Sequence, residues 1–392
     1  MAKILWYGDA LCNTGFGRVT SSVLEHLSKE HEVDVIGINA VGDPHDKPYR
    51  VWPAATVNVP DRFGLARIPE IIAKVNPDVF ICLQDIWVVN QVWERCQFLK
   101  PRYGFKFFAY FPIDSEGYYP DMLREIPKWD LATTFTVQSA QRILDHGINT
   151  QKLGVLPHGV DLKSFNPMDR DEARRQLGLP LNKFIVLNGN RNQPRKRIDL
   201  TIRAFVKFAK DKPDTALYLH MGSKELGWDV MAMFKKEMEL AGLEAEERLI
   251  MTSNHMNYSD APPDELLNKV YNACDVGLNT ANGEGWGLVS FEHASCRKPQ
   301  VVPNHTVCKD LWHEVGELID IAVWETDKDL GVTRGIIDVD DAAEKLSSLY
   351  EDGEFYKHVA DCCYAFTKRP EFRWENVSAG FSAAINDLLS VK

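Results

Sequence analysis

Two carboxylates, Glu284 and Glu292, stand eight residues apart in the run Asn282-Gly283-Glu284-Gly285-Trp286-Gly287-Leu288-Val289-Ser290-Phe291-Glu292. The first lies in a glycine-rich loop after the apolar strand VGLNTA, and the second about one turn into the helix expected to follow. Both can therefore reach a single ligand lying across the start of that helix. Carboxylates accept hydrogen bonds from hydroxyls, which makes sugar and ribose hydroxyls their natural partners. The glycines leave backbone amides open to a phosphate. The plain alternative for Glu292 is a first-turn acid favoured by the helix dipole.

A second candidate opens the second half of the chain. The strand FIVLNGN leads into Arg191-Asn192-Gln193-Pro194-Arg195-Lys196-Arg197 and then into a helix from Asp199. Four cations in seven residues, between a strand end and a helix, are placed to hold a pyrophosphate without a metal ion. Arg191 and Lys196 are the expected contacts; the alternative is a solvated charge run. A third candidate is the first βα turn, Gly8 to Arg18, where Gly15 and Gly17 would let backbone N–H groups approach an anion. Its spacing is not GxGxxG, so it reads equally as a tight turn or as a loop facing phosphate or sugar.

The elements that must carry these loops alternate. Short apolar runs at Ile4–Tyr7, Val33–Ile38, Val79–Leu83, Phe107–Phe111, Ala132–Val137 and Leu153–Leu156 are separated by segments with helical spacing. Strands alternating with helices imply a parallel sheet covered on both faces. The pattern pauses at Asp161–Lys183, a candidate hinge. It resumes with Phe184–Asn188, Ala216–Met221, Arg248–Thr252, Val276–Thr280 and Gln300–Pro303. Two Rossmann-like halves are expected, with the site beyond the carboxyl ends of their strands and between the domains. Near the end, Asp338 caps a predicted helix through Leu349, and Trp374–Leu389 reads as an amphipathic helix.

Composition narrows the class. The chain has 392 residues, 45% hydrophobic and 26% charged, with 25 Gly and 20 Pro, which excludes collagen-like and disordered classes. A net charge of −11 is the wrong sign for a protein that coats nucleic acid, although a local basic cleft is compatible with it. The eight cysteines form no CxxC pair, and Cys82 lies in an apolar run where a free thiol packs as a small hydrophobe; a reducing compartment is expected. No apolar run reaches the ~18 residues of a membrane span, and MAKILWYGDA reads as a strand rather than as a signal peptide. A cytoplasmic protein is the expectation. The DxD at Asp338-Val339-Asp340 opens a helix and is expected to cap it rather than bind a metal.

Taken together, these residues resemble a known family. EGWGLVSFE resembles the E-x7-E motif of retaining glycosyltransferases of the GT-B fold, family 4, and YNACDVGLNTA and HASCRKPQVVPN resemble its flanks. Arg191 and Lys196 have the R-x4-K spacing of that family's phosphate-binding pair, HGVDLKSFNP resembles its interdomain signature, and TGFGR its glycine loop. The resemblance implies a GT-B fold, with two Rossmann-like domains facing across a cleft and a C-terminal helix crossing back onto the first. The domains would span 1–163 (acceptor-binding), a linker at 164–182, 183–372 (nucleotide-sugar-binding) and the helix 373–392. It also implies transfer of a sugar from a nucleotide-sugar donor to a hydroxyl, without a metal or other cofactor, by front-face displacement in which the leaving phosphate takes the acceptor's proton. Glu284 would bind donor-sugar hydroxyls, Glu292 the ribose, and Arg191 and Lys196 the diphosphate. Amides around Gly285, Gly287, Leu288 and Val289 would hold the distal phosphate.

The chain departs from the family at two points. The usual Lys-Gly after the basic loop is Lys196-Arg197, and where many members place a histidine after the fourth strand this chain has Phe111-Pro112-Ile113-Asp114. Asp114 is accordingly a candidate for sugar or acceptor contacts, with a turn residue or helix cap as the plain reading. The segments Gly37–His45 and Tyr49–Pro53 resemble bacteriophage-encoded members, some of which modify hydroxylated pyrimidines in DNA. Trp52, Arg62, Arg67, Trp87, Arg102 and Tyr103 would then line a groove for a nucleobase and its backbone. The acceptor stays open between such DNA and a glycan, lipid-linked or small-molecule hydroxyl. The alternatives to a transferase are a GT-B phosphorylase, a sugar-nucleotide epimerase, or a non-catalytic nucleotide-sugar-binding protein.

Overall fold

The structure is a computed structural model and describes residues 1–42, 44–56, 61–252 and 263–390; Asp43, within the phage-like segment, and residues 391–392, at the end of the expected helix 373–392, lie outside the described residues. The chain divides into two units. The first comprises Met1–Ile113, Tyr118–Gly159 and Pro370–Lys392, and the second Asp114–Gly117 and Val160–Arg369.

In the first unit seven parallel strands, β1 (Lys3–Asp9), β2 (Glu32–Ile38), β3 (Arg50–Pro53), β4 (Val79–Leu83), β5 (Lys106–Tyr110), β6 (Leu131–Thr134) and β7 (Leu153–Val155), form a sheet in the order β3-β2-β1-β4-β5-β6-β7. The central strands are apolar and buried along nearly their whole length, as a sheet covered on both faces requires. The run Ala132–Val137 stops short as a strand because Thr136 takes over as a helix cap: its Oγ1 accepts from the Ser139 N–H at 3.0 Å, and Val137 begins the helix Val137–Asp145. The helix Gly15–Leu27 starts in the same way, with Thr14 accepting from the Gly17 N–H at 3.0 Å. The last helix, Trp374–Ser390, belongs to this unit and packs along Gly15–Leu27. There Phe381 is fully buried among the rings of Trp6, Phe108 and Tyr110, with centroids 5.0–5.7 Å away.

The second unit repeats the plan with β8 (Phe184–Asn188), β9 (Thr215–Leu219), β10 (Leu249–Met251), β11 (Val276–Leu278), β12 (Gln300–Pro303) and β13 (Glu317–Ile319), all parallel, in the order β10-β9-β8-β11-β12-β13. Outside this sheet lies an antiparallel hairpin, β14 (Ile321–Thr326) and β15 (Thr333–Ile337), which the apolar pattern did not announce; nor did it announce β3 or β13. Asp338 does cap the following helix, accepting from the N–H groups of Asp340 and Asp341. Residues 164–182 group with this unit. Their helix Arg170–Leu177 is pinned by the buried Arg174, whose guanidinium reaches the Asp275 carboxylate at 2.7 Å and the carbonyls of Ala273 and Lys183 at 2.8 Å each. Burying a guanidinium is costly unless its donors are met, and here they meet two separate chain segments, 180–183 and 273–275.

Candidate active site

In both sheets the strand order reverses beside the first strand, between β1 and β4 in one unit and between β8 and β11 in the other. Helices leaving two such strands pass to opposite faces, which opens a crevice beyond their carboxyl ends. In the second unit the two loops flanking that point are the basic loop after β8 and the carboxylate loop after β11.

A lattice of polar groups joins these loops. Thr201 Oγ1 lies 2.6 Å from Thr280 Oγ1, and Thr280 donates to the Arg197 carbonyl at 2.9 Å. The Asn282 N–H donates to the Arg195 carbonyl at 2.9 Å, and the Arg195 guanidinium donates to the Gly283 carbonyl. Lys196 Nζ consequently meets Glu284 Oε1 at 2.5 Å, while Asn279 donates to the same oxygen at 3.3 Å and Arg195 lies 3.6 Å from the other. Burial pulls the Lys196 ammonium below its usual range, with Glu284 opposing it. Burial alone would push the Glu284 carboxyl up, but Lys196 and Arg195 outweigh it and hold the group below the usual carboxylate range.

Glu292 sits one turn into the helix Leu288–Ser295 and is buried, with its Oε2 accepting from the Tyr271 hydroxyl at 2.8 Å. Gly287, whose φ of +84° suits glycine, immediately precedes that helix, and among the described residues no side chain caps it. The backbone N–H groups of its first turn, at Leu288 and Val289, therefore meet no side-chain cap. Gly189, at the exit of β8, lies against this turn: a Cβ there would stand 2.9 Å from Val289 Cγ1.

The expected residues are only partly assembled. Lys196 and Glu284 are brought together, and Gly285, Gly287, Leu288, Val289 and Glu292 follow on the same loop and helix. Arg191 instead lies with its Nε 3.5 Å from Glu225. Arg195, from the same charge run as the expected diphosphate contacts Arg191 and Lys196, lies beside Glu284, a neighbour that sequence reading did not single out. Asp114 belongs to the second unit, with its carboxylate 3.8 Å from Arg195 and 3.6 Å from Arg334. Gly15 and Gly17 lie at the start of the first helix of the first unit. There Asp9, at the end of β1, accepts from Thr14 at 2.5 Å and from Gln84 at 3.1 Å, across the β1–β4 reversal.

The six aromatic and basic residues expected to form one groove do not do so. Trp87 lies in the first turn of the helix Ile86–Cys96 at the carboxyl end of β4, whereas Arg102 and Tyr103 stack on each other just before β5, at the amino end of the sheet. Trp52 donates to Asp34 at 2.8 Å and is covered by Arg50 and Lys74. Among the described residues no group of three or more His, Cys, Asp or Glu is disposed to hold a metal ion, and no helix is long and apolar enough to cross a membrane.

Residues 169–361 match the model of the family described as glycosyl transferases group 1. The chain is related to that family. It is 32% identical over 170 residues to a D-inositol 3-phosphate glycosyltransferase of Geodermatophilus obscurus, covering 42% of this chain and 36% of the relative. To one from Mycobacterium sp. strain KMS it is 28% identical over 260 residues, covering 64% and 51%. The chain thus spans roughly a third to a half of these curated relatives. Among solved structures, Anabaena HepE in complex with UDP and glucose aligns over 99% of this chain and 100% of its own, with a TM-score of 0.73 and 15% identity. Sucrose-phosphate synthase from Thermosynechococcus elongatus aligns over 99% of both chains, with a TM-score of 0.76 and 17% identity. The fold is GT-B, built from two Rossmann-like α/β domains.

Proposed function

We propose that this chain is a glycosyltransferase that moves a sugar from a nucleotide-sugar donor to a hydroxyl acceptor, without a metal and with retention at the anomeric carbon. The observation that carries the reading is the Lys196–Glu284–Arg195 cluster beside the β8–β11 reversal, followed on the same chain segment by an uncapped helix start and by Glu292. These groups match the parts of such a donor: cations and helix amides for the diphosphate, Glu284 for sugar hydroxyls, Glu292 for the ribose. In the transfer step the bond from the anomeric carbon to the diphosphate oxygen breaks. The acceptor oxygen forms its bond on the same face, and its proton passes to the departing phosphate. Lys196 stabilises the negative charge that grows on that phosphate, while Arg195 supports Glu284 from its other oxygen.

Two further observations support the finer parts. Thr14 and the buried Asp9 and Gln84 at the β1–β4 reversal offer a polar cluster for an acceptor in the first unit. All eight cysteines are free thiols, which supports a reducing, cytoplasmic setting.

The test is nucleoside diphosphate release from UDP-, GDP-, ADP- and TDP-sugars in EDTA, with and without glycans, polyols and hydroxymethylated DNA. Release from one donor, raised by one acceptor and yielding the retained anomer, is the expected result. Neither release nor calorimetric binding of any nucleotide would overturn the reading.

A further inference from the structure

The charged groups of the second unit run on beyond Glu284 in alternating sign: Lys196, Glu284, Arg195, Asp114, Arg334, Asp327, with successive partners 2.5 to 3.8 Å apart. Arg334, on β15, is the deepest of the three arginine and lysine side chains, at 4% exposure. Its Nε reaches Asp327 at 3.3 Å, while its Nη1 faces Asp114 at 3.6 Å with no hydrogen-bond partner among the described residues. A hairpin needs no buried guanidinium to form, and burying one with an unmatched donor is unfavourable. The direction of that donor therefore matters. It points toward Gly283 as well, where a Cβ would collide with Arg334 Nη1 and with the Asp114 carbonyl oxygen.

Asp114 is held in place by backbone. The Glu116 N–H donates to the Thr333 carbonyl at 3.1 Å, the Thr333 N–H donates to the Gly117 carbonyl at 3.1 Å, and Glu116 Oε1 accepts from the Thr306 N–H at 2.6 Å. Residues 114–117 thus lie as a strap along β15, one residue from Arg334.

We propose that Arg334 is a positioning residue for the donor-sugar subsite: it fixes the Asp114 carboxylate against Arg195, and through Arg195 the loop that carries Glu284. This rests on the glycosyltransferase reading. Arg334 itself touches neither sugar nor phosphate; its effect falls on the sugar end of the donor, not on the nucleoside diphosphate.

The experiment is calorimetric titration of the full chain with matched pairs, UDP against UDP-glucose and GDP against GDP-mannose, together with kcat and KM for whichever donor turns over. In Arg334→Gln, nucleoside diphosphate affinity is expected to stay within about twofold of wild type, while the extra affinity contributed by the sugar and the kcat both fall about tenfold or more. Arg334→Lys restores part of the loss, Asp114→Asn reproduces it, and the double variant loses no more than either single, because both act on one unit. Equal behaviour of Arg334→Gln and wild type on both ligands overturns the inference, as does equal loss on both ligands or full additivity with Asp114→Asn. A wild-type protein that binds no nucleotide at all overturns the glycosyltransferase reading and this inference with it.

Discussion

Lys196 Nζ and Glu284 Oε1 stand 2.5 Å apart, so the two groups proposed to meet the diphosphate and the sugar of one donor are each other's counter-ions. A donor that engages both must compete with this pair, and removing either partner leaves the other charge buried. Lys196→Met and Glu284→Gln are expected to abolish transfer while the protein still folds. Each should cost up to about 3–5 kcal/mol of stability, softened for Lys196→Met by Arg195. The double variant should be more stable than the sum of the singles predicts, which thermal and denaturant unfolding will show.

Tyr271 donates to Glu292 at 2.8 Å and so orients the carboxylate proposed to read ribose. Tyr271→Phe should weaken nucleoside diphosphate binding about three- to tenfold, in line with one lost hydrogen bond to a charged group. The loss should be smaller for a deoxynucleoside diphosphate. Calorimetry with the matched ribo and deoxy ligands checks this, and an equal loss on both would remove Glu292 from ribose recognition.

Acid should destabilise the fold well above the carboxylate range. Burial lowers the pKa of His158 and His293 from 6.5 to about 3, and that of His220 to about 4. The unfolded chain therefore binds more protons than the folded one below pH 6.5. The stability these residues confer is complete above that value and is lost as pH falls through it, at about 1.4 kcal/mol per pH unit for each histidine. Denaturant midpoints measured between pH 7 and pH 4.5 should fall steadily, and His220→Gln should flatten the slope.

Phe381 belongs to the last helix of the chain yet fills a ring cluster in the first unit with Trp6, Phe108 and Tyr110. Phe381→Ala is expected to cost about 3–5 kcal/mol. Deleting residues 374–390 should yield insoluble protein, as read by the soluble fraction on expression, because it strips Val377, Phe381 and Ile385 from the first unit and uncovers the apolar face they cover, including Trp6, Phe108 and Tyr110.

What could be read from sequence was what lies close along the chain. The E-x7-E run puts a loop acid and a helix acid within one βα unit, so periodicity alone locates both, and the central strands announce themselves as unbroken apolar runs. The choice among Arg191, Arg195 and Lys196 was not legible. Which cation of a single loop turns inward depends on the short helical turn Pro194–Lys196 and on the partner loop 88 residues away. Strands β14 and β15 carry exposed or mixed residues, so no apolar pattern marks them. Arg334 therefore had no signal, and Asp114 was visible only as a departure from a family pattern. The six-residue groove failed because proximity in composition says nothing about which end of a parallel strand a residue occupies.

The strap along β15 bears on how chains of this fold can be recombined. The chain passes from one unit to the other after residues 113, 117, 159 and 369, so neither unit is a contiguous stretch of sequence. A chimera joined at a single point near residue 160 would combine one parent's strap with another parent's hairpin. It would mismatch Asp114 with whatever stands at position 334. Exchanging residues 114–117 together with 160–369 keeps that pairing intact, and donor preference should then travel with the grafted pieces as a set.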